Sequence, residues 1–128
     1  MTPLQLALSL LPATFAVCRL PAGAALPAWA TAGAFYAVTR TADELSIVCV
    51  QEQVPVGVTC QPGWRCLQVA GQLDFALTGV LASLAQPLAA AGVSIFALST
   101  YDTDYLLVPE VQLDAAQAAL RSAGHMLA

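Results

Sequence analysis

The sequence holds 128 residues, of which 59% are apolar and only 9% are charged, and its net charge is −4 at pH 7. It contains no lysine, and its basic residues Arg19, Arg40, Arg65 and Arg121 are scattered, so it offers neither the basic stripe that nucleic-acid binding requires nor a polybasic segment for anionic lipids. So little charge does not cover the surface of a monomer well, which predicts a homodimer or another self-associated state.

Two hydrophobic stretches are predicted to belong to a folded domain. Residues 1–20 carry no basic residue before Arg19 and are interrupted by prolines, so we expect strands there and no signal peptide. Residues 75–101 are uncharged, but Pro87, Gly92 and several hydroxyl side chains interrupt them, which favours a helix, a turn and a buried strand over a membrane span. We therefore expect a cytoplasmic protein with no membrane partner.

The amino-terminal half is predicted to be mostly strand. A strand at TFAVCRL and a short helical piece near PAWATA precede the segment FYAVTRTADELSIVCV, which has the pattern of a hairpin that turns at Ala42 and Asp43. Residues 51–64 contain two prolines and two glycines and are predicted to be the linker between two halves, 1–60 and 61–128.

The carboxy-terminal half begins with a predicted strand and helix. Trp64–Ala70 is rich in large and β-branched residues between glycines, as strands are. Thr78 is the predicted N-cap of a helix that runs to Ala91, and Gly92 is its predicted C-cap.

Two further strands and a second helix complete this half. The run VSIFALS predicts a central strand, TYDT a turn, and YLLVP the antiparallel partner strand. Asp114 and Gln117 resemble a capping box for the helix AAQAALRSA, which ends at Gly124 before a last strand, HMLA. The order βαββαβ predicts an α+β ferredoxin-like module, with a four-stranded antiparallel sheet and both helices on one face.

The cysteines and the histidine predict neither a metal site nor a catalytic site. Cys18, Cys49, Cys60 and Cys66 form no CxxC pair, and His125 is distant from them in sequence, so we expect reduced thiols that pack as small core residues. Nor does a single histidine near the end of the chain suit a Ser-His-Asp arrangement. We expect no enzyme activity and no cofactor.

The carboxy-terminal half also carries a family resemblance. The segment LDFALTGVLASLAQPLAAAGVSIFALSTYDTDYLLV closely resembles small bacterial ACT-domain proteins and the related CASTOR family of arginine sensors. The hairpin RTADELSIVC, followed by Val54 and Pro55, is similar to the first ACT-like half of those proteins. The resemblance implies tandem ferredoxin-like (ACT) modules, a small-molecule ligand at the ACT–ACT interface, a homodimer, and an effector protein that receives the signal.

A free amino acid needs donors for its carboxylate and an acceptor for its ammonium. Backbone amides at the predicted helix start, residues Thr78, Gly79, Val80 and Leu81, supply the donors, and Asp74 and Asp104 are the available anions. The resemblance implies that Tyr101 and Asp104 line the pocket and that Ser94 and Ile95 reach it from the facing domain.

The sequence departs from the arginine sensors at two positions of this site. Leu77 stands where the resemblance places an acid that binds a guanidinium, and Asp74 stands where it places a glycine. Losing such a charge-assisted contact costs about 1.5–3 kcal/mol, so selectivity for arginine is not expected. The predicted function is that of an amino-acid-binding regulatory sensor, and the alternative is a ligand-free dimerisation or protein-interaction module.

Overall fold

A computed structural model describes residues 4–74 and 76–128. In chain order the described part contains the following strands and α-helices: β1 (Ala7–Leu20), β2 (Ala37–Arg40), β3 (Leu45–Val50), β4 (Thr59–Val69), α1 (Val80–Ala90), β5 (Phe96–Ser99), β6 (Asp104–Pro109), α2 (Leu113–Ser122) and β7 (Met126–Leu127). Short 3₁₀ helices cover Ala28–Thr31, Gln51–Gln53 and Glu110–Gln112.

Contacts within the chain group its residues into two compact units. The helix unit comprises the described residues up to Pro12 together with Arg65–Ala128, and the hairpin unit comprises Ala13–Trp64. The helix unit therefore takes in a segment that the sequence-based division assigns to the first half. That division, between residues 60 and 61, stays a prediction about domains.

The helix unit has the predicted α+β, ferredoxin-like class with one added strand. Its strand order is β7-β1-β4-β6-β5. β5 and β6 form the predicted antiparallel hairpin, in which Ser99 lies opposite Asp104, whereas β7 runs parallel to β1. The backbone of the amino-terminal segment bonds on both sides, because the Ala70 N–H donates to the Ala7 carbonyl and the Met126 N–H donates to the Leu6 carbonyl, each at 2.8 Å. This is why the unit holds five strands where the βαββαβ pattern predicts four.

α1 starts one residue later than predicted, so Thr78 is not its N-cap. The N-cap is Gly79, whose φ of 82° lies in the left-handed region, and no described side chain caps the helix. Gly92 ends the helix as predicted: its N–H donates to the Ala89 carbonyl, and the Val93 N–H donates to the Leu88 carbonyl, the two bonds of a Schellman motif.

α2 likewise begins without the predicted capping box. Its N-cap is Gln112, with no side-chain bond to the described helix start, and Asp114 lies inside the first turn. The preceding 3₁₀ helix, Glu110–Gln112, already bends the chain into the helix, and the acidic Asp114 still favours the positive end of the helix dipole. Gly124, with φ 95°, ends α2 in a second Schellman motif.

Both helices of the helix unit are held by apolar contacts with its sheet. α1 buries one residue per turn, Val80, Leu84 and Leu88, and α2 buries Ala116 and Leu120. They pack in one core with residues of the amino-terminal segment, β4 and β6: Leu6, Leu8, Leu67, Val69, Leu106 and Val108. The spacing of four residues between the buried α1 side chains is the pattern of an amphipathic helix.

The hairpin unit is built around the predicted hairpin. β2 and β3 pair antiparallel through Ala37–Val48 to Arg40–Leu45, and β3 pairs antiparallel with β1 through Phe15–Val50 to Leu20–Leu45. The predicted helical piece is the 3₁₀ helix Ala28–Thr31. The core of this unit consists of small and β-branched residues with Leu45, and it includes Cys18 and Cys49.

Two expectations about strands are wrong in detail. The predicted linker over residues 51–64 is shorter, because Thr59–Trp64 already belongs to β4. β5 covers only Phe96–Ser99 and ends the strand order of the described residues, so it is an edge strand rather than a central one. An apolar run predicts burial, but the helix unit places the run at an edge, where its side chains are half-buried or exposed.

All four cysteines are free thiols; Cys18, Cys49 and Cys66 are buried, whereas Cys60 is half-buried. Burial raises the pKa of Cys66 to about 12, and burial together with the neighbouring thiols of Cys49 and Cys60 raises the pKa of Cys18 to about 12. Because a thiol reacts as its thiolate, the thiols of Cys18 and Cys66 are unreactive at neutral pH.

Candidate ligand-binding site

A cavity of about 280 Å³ opens in the helix unit between the start of α1 and the turn that joins β5 to β6. Its walls come from the segment before α1 and its first turn, and from the β5–β6 turn: Leu73, Asp74, Leu77, Gly79, Val80, Leu81, Ser99, Thr100, Tyr101, Asp102, Thr103 and Asp104. Small-molecule sites in proteins usually measure about 300–1,000 Å³, so this cavity suits a compact ligand.

The structure brings most of the predicted site residues to this cavity. Six of them line it: Asp74, Gly79, Val80, Leu81, Tyr101 and Asp104. Thr78, Ser94 and Ile95 are not among the described lining residues. The Ser94 N–H donates to Oε1 of Gln112 at 3.2 Å, and Ile95 packs against the core of the helix unit. Within this chain, therefore, Ser94 and Ile95 stand apart from the cavity.

The start of α1 gives the cavity a set of backbone donors. The Ser83 N–H donates to the Gly79 carbonyl at 2.9 Å, which is the first bond of the helical ladder, so the amides of Val80 and Leu81 precede that ladder. The first turn of α1, which the structure describes in full, contains no acidic side chain that would compete for these amides. The positive end of the helix dipole thus favours an anionic group at this wall of the cavity.

Three aspartates supply the opposite charge. Oδ1 of Asp104 accepts a hydrogen bond from the Ser99 hydroxyl at 2.6 Å, which orients the carboxylate across the β5–β6 pair. Oδ1 of Asp74 accepts from the Ala76 N–H at 2.8 Å, a local bond typical of an aspartate that shapes a turn. Asp102 also lines the cavity. Because no arginine, histidine or lysine is among the described lining residues, the aspartates make this part of the cavity negative.

A buried hydroxyl and two backbone hydrogen bonds hold the β5–β6 turn in place. Thr103 is only 5% exposed, and its hydroxyl donates to the Val69 carbonyl of β4 at 2.7 Å. The Thr100 N–H donates to the Thr103 carbonyl at 2.8 Å, and the Leu73 N–H donates to the Asp102 carbonyl at 2.6 Å. These bonds fix Asp104 relative to the segment before α1.

Sequence reasoning passed over Ser99, Thr100 and Thr103 as contributors to the site, and it gave Asp102 only a role in the turn. The available signal is the alternation of hydroxyl residues with aspartates in STYDTD, because such side chains bond one another and nearby backbone in tight turns. The cavity remains open beside the apolar residues, since Leu77 is 43% exposed and Leu81 is 41% exposed.

Neither a metal site nor a membrane helix is found in the described structure. Over residues 4–74 and 76–128, no group of three or more histidine, cysteine, aspartate or glutamate side chains is arranged to hold a metal ion. In the same residues no helix has the length and apolar character that crossing a membrane requires.

Family models match both parts of the chain. A model described as an ACT domain matches residues 59–122, and a second model, of an amino-terminal domain, matches residues 13–57. The ACT-domain match covers half of the 128 residues.

An arginine sensor and a bacterial protein of known structure are similar to this chain. The cytosolic arginine sensor for mTORC1 subunit 1 of Bos taurus is 38% identical over 85 residues, which is 60% of this chain and 26% of that protein. The chain thus spans about a quarter of the length of that curated relative. A crystal structure of a protein from Agobacterium tumefaciens matches with a TM-score of 0.93 and 41% identity, covering 98% of this chain and 93% of the other.

A more distant likeness concerns the fold alone. The ligand-free regulatory subunit of aspartate kinase from Thermus thermophilus matches with a TM-score of 0.60 and 13% identity, covering 86% of this chain and 91% of that subunit.

Proposed function

Because the chain belongs to the ACT domain family, we propose that it is a regulatory protein without catalytic activity that binds a small zwitterionic molecule, an amino acid, in the cavity of the helix unit. The observation that carries the proposal is the pairing of helix-start amides with aspartates across one cavity of about 280 Å³. The similarity to a cytosolic arginine sensor supports this proposal, and it also supports a cytoplasmic location.

The two charged groups of an amino acid bind to opposite walls of the cavity. The ligand carboxylate bonds the amides at Gly79, Val80 and Leu81, where the helix dipole adds a favourable interaction of about 0.3–1 kcal/mol. The ligand ammonium bonds Asp104, whose Oδ1 already accepts from Ser99 and whose other oxygen is available to a second donor. Asp74 is the weaker candidate for this role because its carboxylate bonds the Ala76 N–H.

Leu77 argues against selectivity for arginine. It lines the cavity at the position where the resemblance places an acid for the guanidinium, and leucine offers no acceptor. Asp102 and Asp74 add negative charge nearby, so ligands with a neutral or a positive side chain are favoured over acidic amino acids.

We place this cavity at an interface between two copies of the chain. Leu77, Leu81 and Tyr101 line it and are 43%, 41% and 80% exposed, which leaves apolar surface at its rim. In a homodimer, Ser94 and Ile95 of the second copy would complete the ligand contacts, as the resemblance implies. An effector protein of unidentified type would then respond to the occupied dimer.

The same apolar rim favours one alternative function, a ligand-free dimerisation or protein-interaction module. In that case a partner covers Leu77, Leu81 and Tyr101 and no amino acid enters.

A thermal-shift screen against the standard amino acids, one at a time, separates the two functions. An amino acid present at 100 times its dissociation constant stabilises the folded protein by about 2.7 kcal/mol, which raises the midpoint of unfolding measurably. The sensor function predicts such a shift for at least one amino acid. If none shifts the midpoint while the protein is dimeric by light scattering, the interaction module is the better account.

A further inference from the structure

Pro87 leaves one backbone carbonyl of α1 without its usual helical partner. It lies inside the helix, and a proline has no N–H to donate to the carbonyl four residues earlier, which is that of Ser83. The Ser83 carbonyl instead lies 3.0 Å from Nε2 of His125, a residue that is only 4% exposed.

The other ring nitrogen of His125 decides which way this hydrogen bond runs. Nδ1 accepts a hydrogen bond from the Leu6 N–H at 3.1 Å, and a nitrogen that accepts carries no proton. The ring is therefore in the neutral tautomer with its proton on Nε2, and Nε2 donates to the Ser83 carbonyl. One imidazole thus bonds both α1 and the residue that precedes β1.

The backbone that carries this ring is held by hydrogen bonds at His125 and at the next residue. The His125 N–H donates to the Leu120 carbonyl at 3.0 Å as part of the Schellman motif that ends α2, and the Met126 N–H donates to the Leu6 carbonyl at 2.8 Å. These bonds fix the backbone position from which the imidazole reaches Leu6 and Ser83.

Ser83 connects this arrangement to the cavity. Its N–H donates to the Gly79 carbonyl at 2.9 Å, and its hydroxyl donates to the Val80 carbonyl at 2.7 Å. Gly79 and Val80 are among the described lining residues of the cavity, whereas His125 is not.

We propose that His125 is a positioning residue for the cavity: its imidazole supplies the hydrogen bond that Pro87 removes from α1 and thereby fixes the first turn of that helix. That this turn binds a ligand rests on the proposed function, but the hydrogen-bond arrangement itself does not.

A double-mutant cycle between His125→Asn and Pro87→Ala tests the arrangement without any ligand. Asparagine retains an acceptor near the position of Nδ1 but does not reach Ser83, and the alanine of Pro87→Ala restores an N–H that donates to the Ser83 carbonyl. We expect His125→Asn to raise the unfolding equilibrium constant about tenfold more in the wild-type background than in the Pro87→Ala background. Equal effects in the two backgrounds, measured by denaturant unfolding, would overturn the proposal.

Nitrogen-15 spectra of the wild-type histidine ring provide a test that needs no variant. We expect the signature of a neutral ring protonated at Nε2. A ring protonated at Nδ1 instead would contradict the proposed donor, because Nδ1 would no longer accept from Leu6.

Amide hydrogen exchange separates positioning from a general loss of stability. In His125→Asn the Ser83 amide should exchange about tenfold faster relative to wild type than the Ala123 amide, which bonds Ala119 at the end of α2. His125→Gln, whose side-chain amide reaches Ser83, should restore slow exchange. A uniform acceleration at both amides in His125→Asn would show a merely structural role.

A thermal-shift measurement with a mixture of the standard L-amino acids tests whether the His125 hydrogen bonds affect ligand binding. The midpoint shift that the mixture produces in wild type should shrink in His125→Asn and return in His125→Gln. An undiminished shift in His125→Asn would overturn the positioning role. No shift in wild type would count against the proposed function alone, because the cycle and the exchange measurements still decide the role of His125.

Discussion

In the proposed function, Asp104 is the residue that bonds the ammonium group of the amino acid. Replacing it with asparagine removes the charge and keeps an oxygen that accepts from the Ser99 hydroxyl, which now lies 2.6 Å from Oδ1. We expect Asp104→Asn to weaken amino-acid binding about tenfold to hundredfold, the equivalent of about 1.5–3 kcal/mol, with little change in the unfolding midpoint. Calorimetric titration measures the affinity.

Asp43→Asn is the matched control for that substitution. Asp43 is an exposed aspartate in the β2–β3 turn of the hairpin unit, and its removal changes the net charge of the chain equally. Affinity should stay the same in the control, and an equal loss in both variants would point to a long-range charge effect.

A second prediction at the residue scale is that the free energy of unfolding depends on pH through the thiol of Cys66. Burial raises its pKa to about 12 in the folded chain, whereas an unfolded thiol titrates near 9.0. Between these two pKa values, Cys66 keeps its proton in the folded state and loses it in the unfolded state. The contribution of Cys66 to stability is therefore complete below about pH 9 and falls as pH rises towards 12. Denaturant unfolding at about pH 8 and about pH 10.5 should show a larger loss of stability in wild type than in Cys66→Ala, and equal losses would contradict the prediction.

At the scale of elements, the start of α1 depends on a glycine backbone. Gly79 has φ 82°, and an added Cβ would meet only Cδ1 of Leu4 among the described atoms, at an ordinary 3.9 Å, so the cost of a side chain there is conformational and not steric. We expect Gly79→Ala to lower the free energy of unfolding by about 1–2 kcal/mol. Gly23→Ala is the control, because Gly23 has no described atom within 4 Å of an added Cβ and its φ is not positive. A cost as large in the control would show that the backbone angle is not the cause.

At the scale of the whole molecule, the scarcity of charge and the exposed apolar rim of the cavity predict a homodimer. Light scattering at micromolar concentration should give twice the mass of the 13.2 kDa chain. Leu81→Glu places a charge in that rim and should shift the population towards monomer, because burying it at an apolar interface costs free energy. Val56→Glu, at a fully exposed valine of the hairpin unit, should leave the mass unchanged. A monomeric wild type would contradict the prediction.

Most elements could be predicted because their cause is local. The hairpin turn at Ala42 and Asp43, the glycine ends of both helices and the β5–β6 turn each follow from residue types that adopt a few backbone angles. The N-caps predicted at Thr78 and Asp114 were wrong, because several residues near a helix start satisfy the capping pattern and the local backbone decides among them.

Part of the site could also be predicted, since Gly79, Val80 and Leu81 follow one another at a helix start, and Asp104 follows a turn. Their meeting with Asp102 and Ser99 in one cavity depends on how β6 lies beside β4, where the Thr103 hydroxyl bonds Val69. No local pattern contains that contact.

By itself the sequence determined the α+β class and most of the helices and turns, because these follow from side-chain periodicity and backbone preference. Only the tertiary structure decided that the amino-terminal segment lies between β7 and β4, that β5 is an edge strand, and that His125 donates to the carbonyl which Pro87 leaves without a partner. The physical reason is the same in each case: these are contacts between residues far apart in the chain, and their geometry is set by packing around the common core.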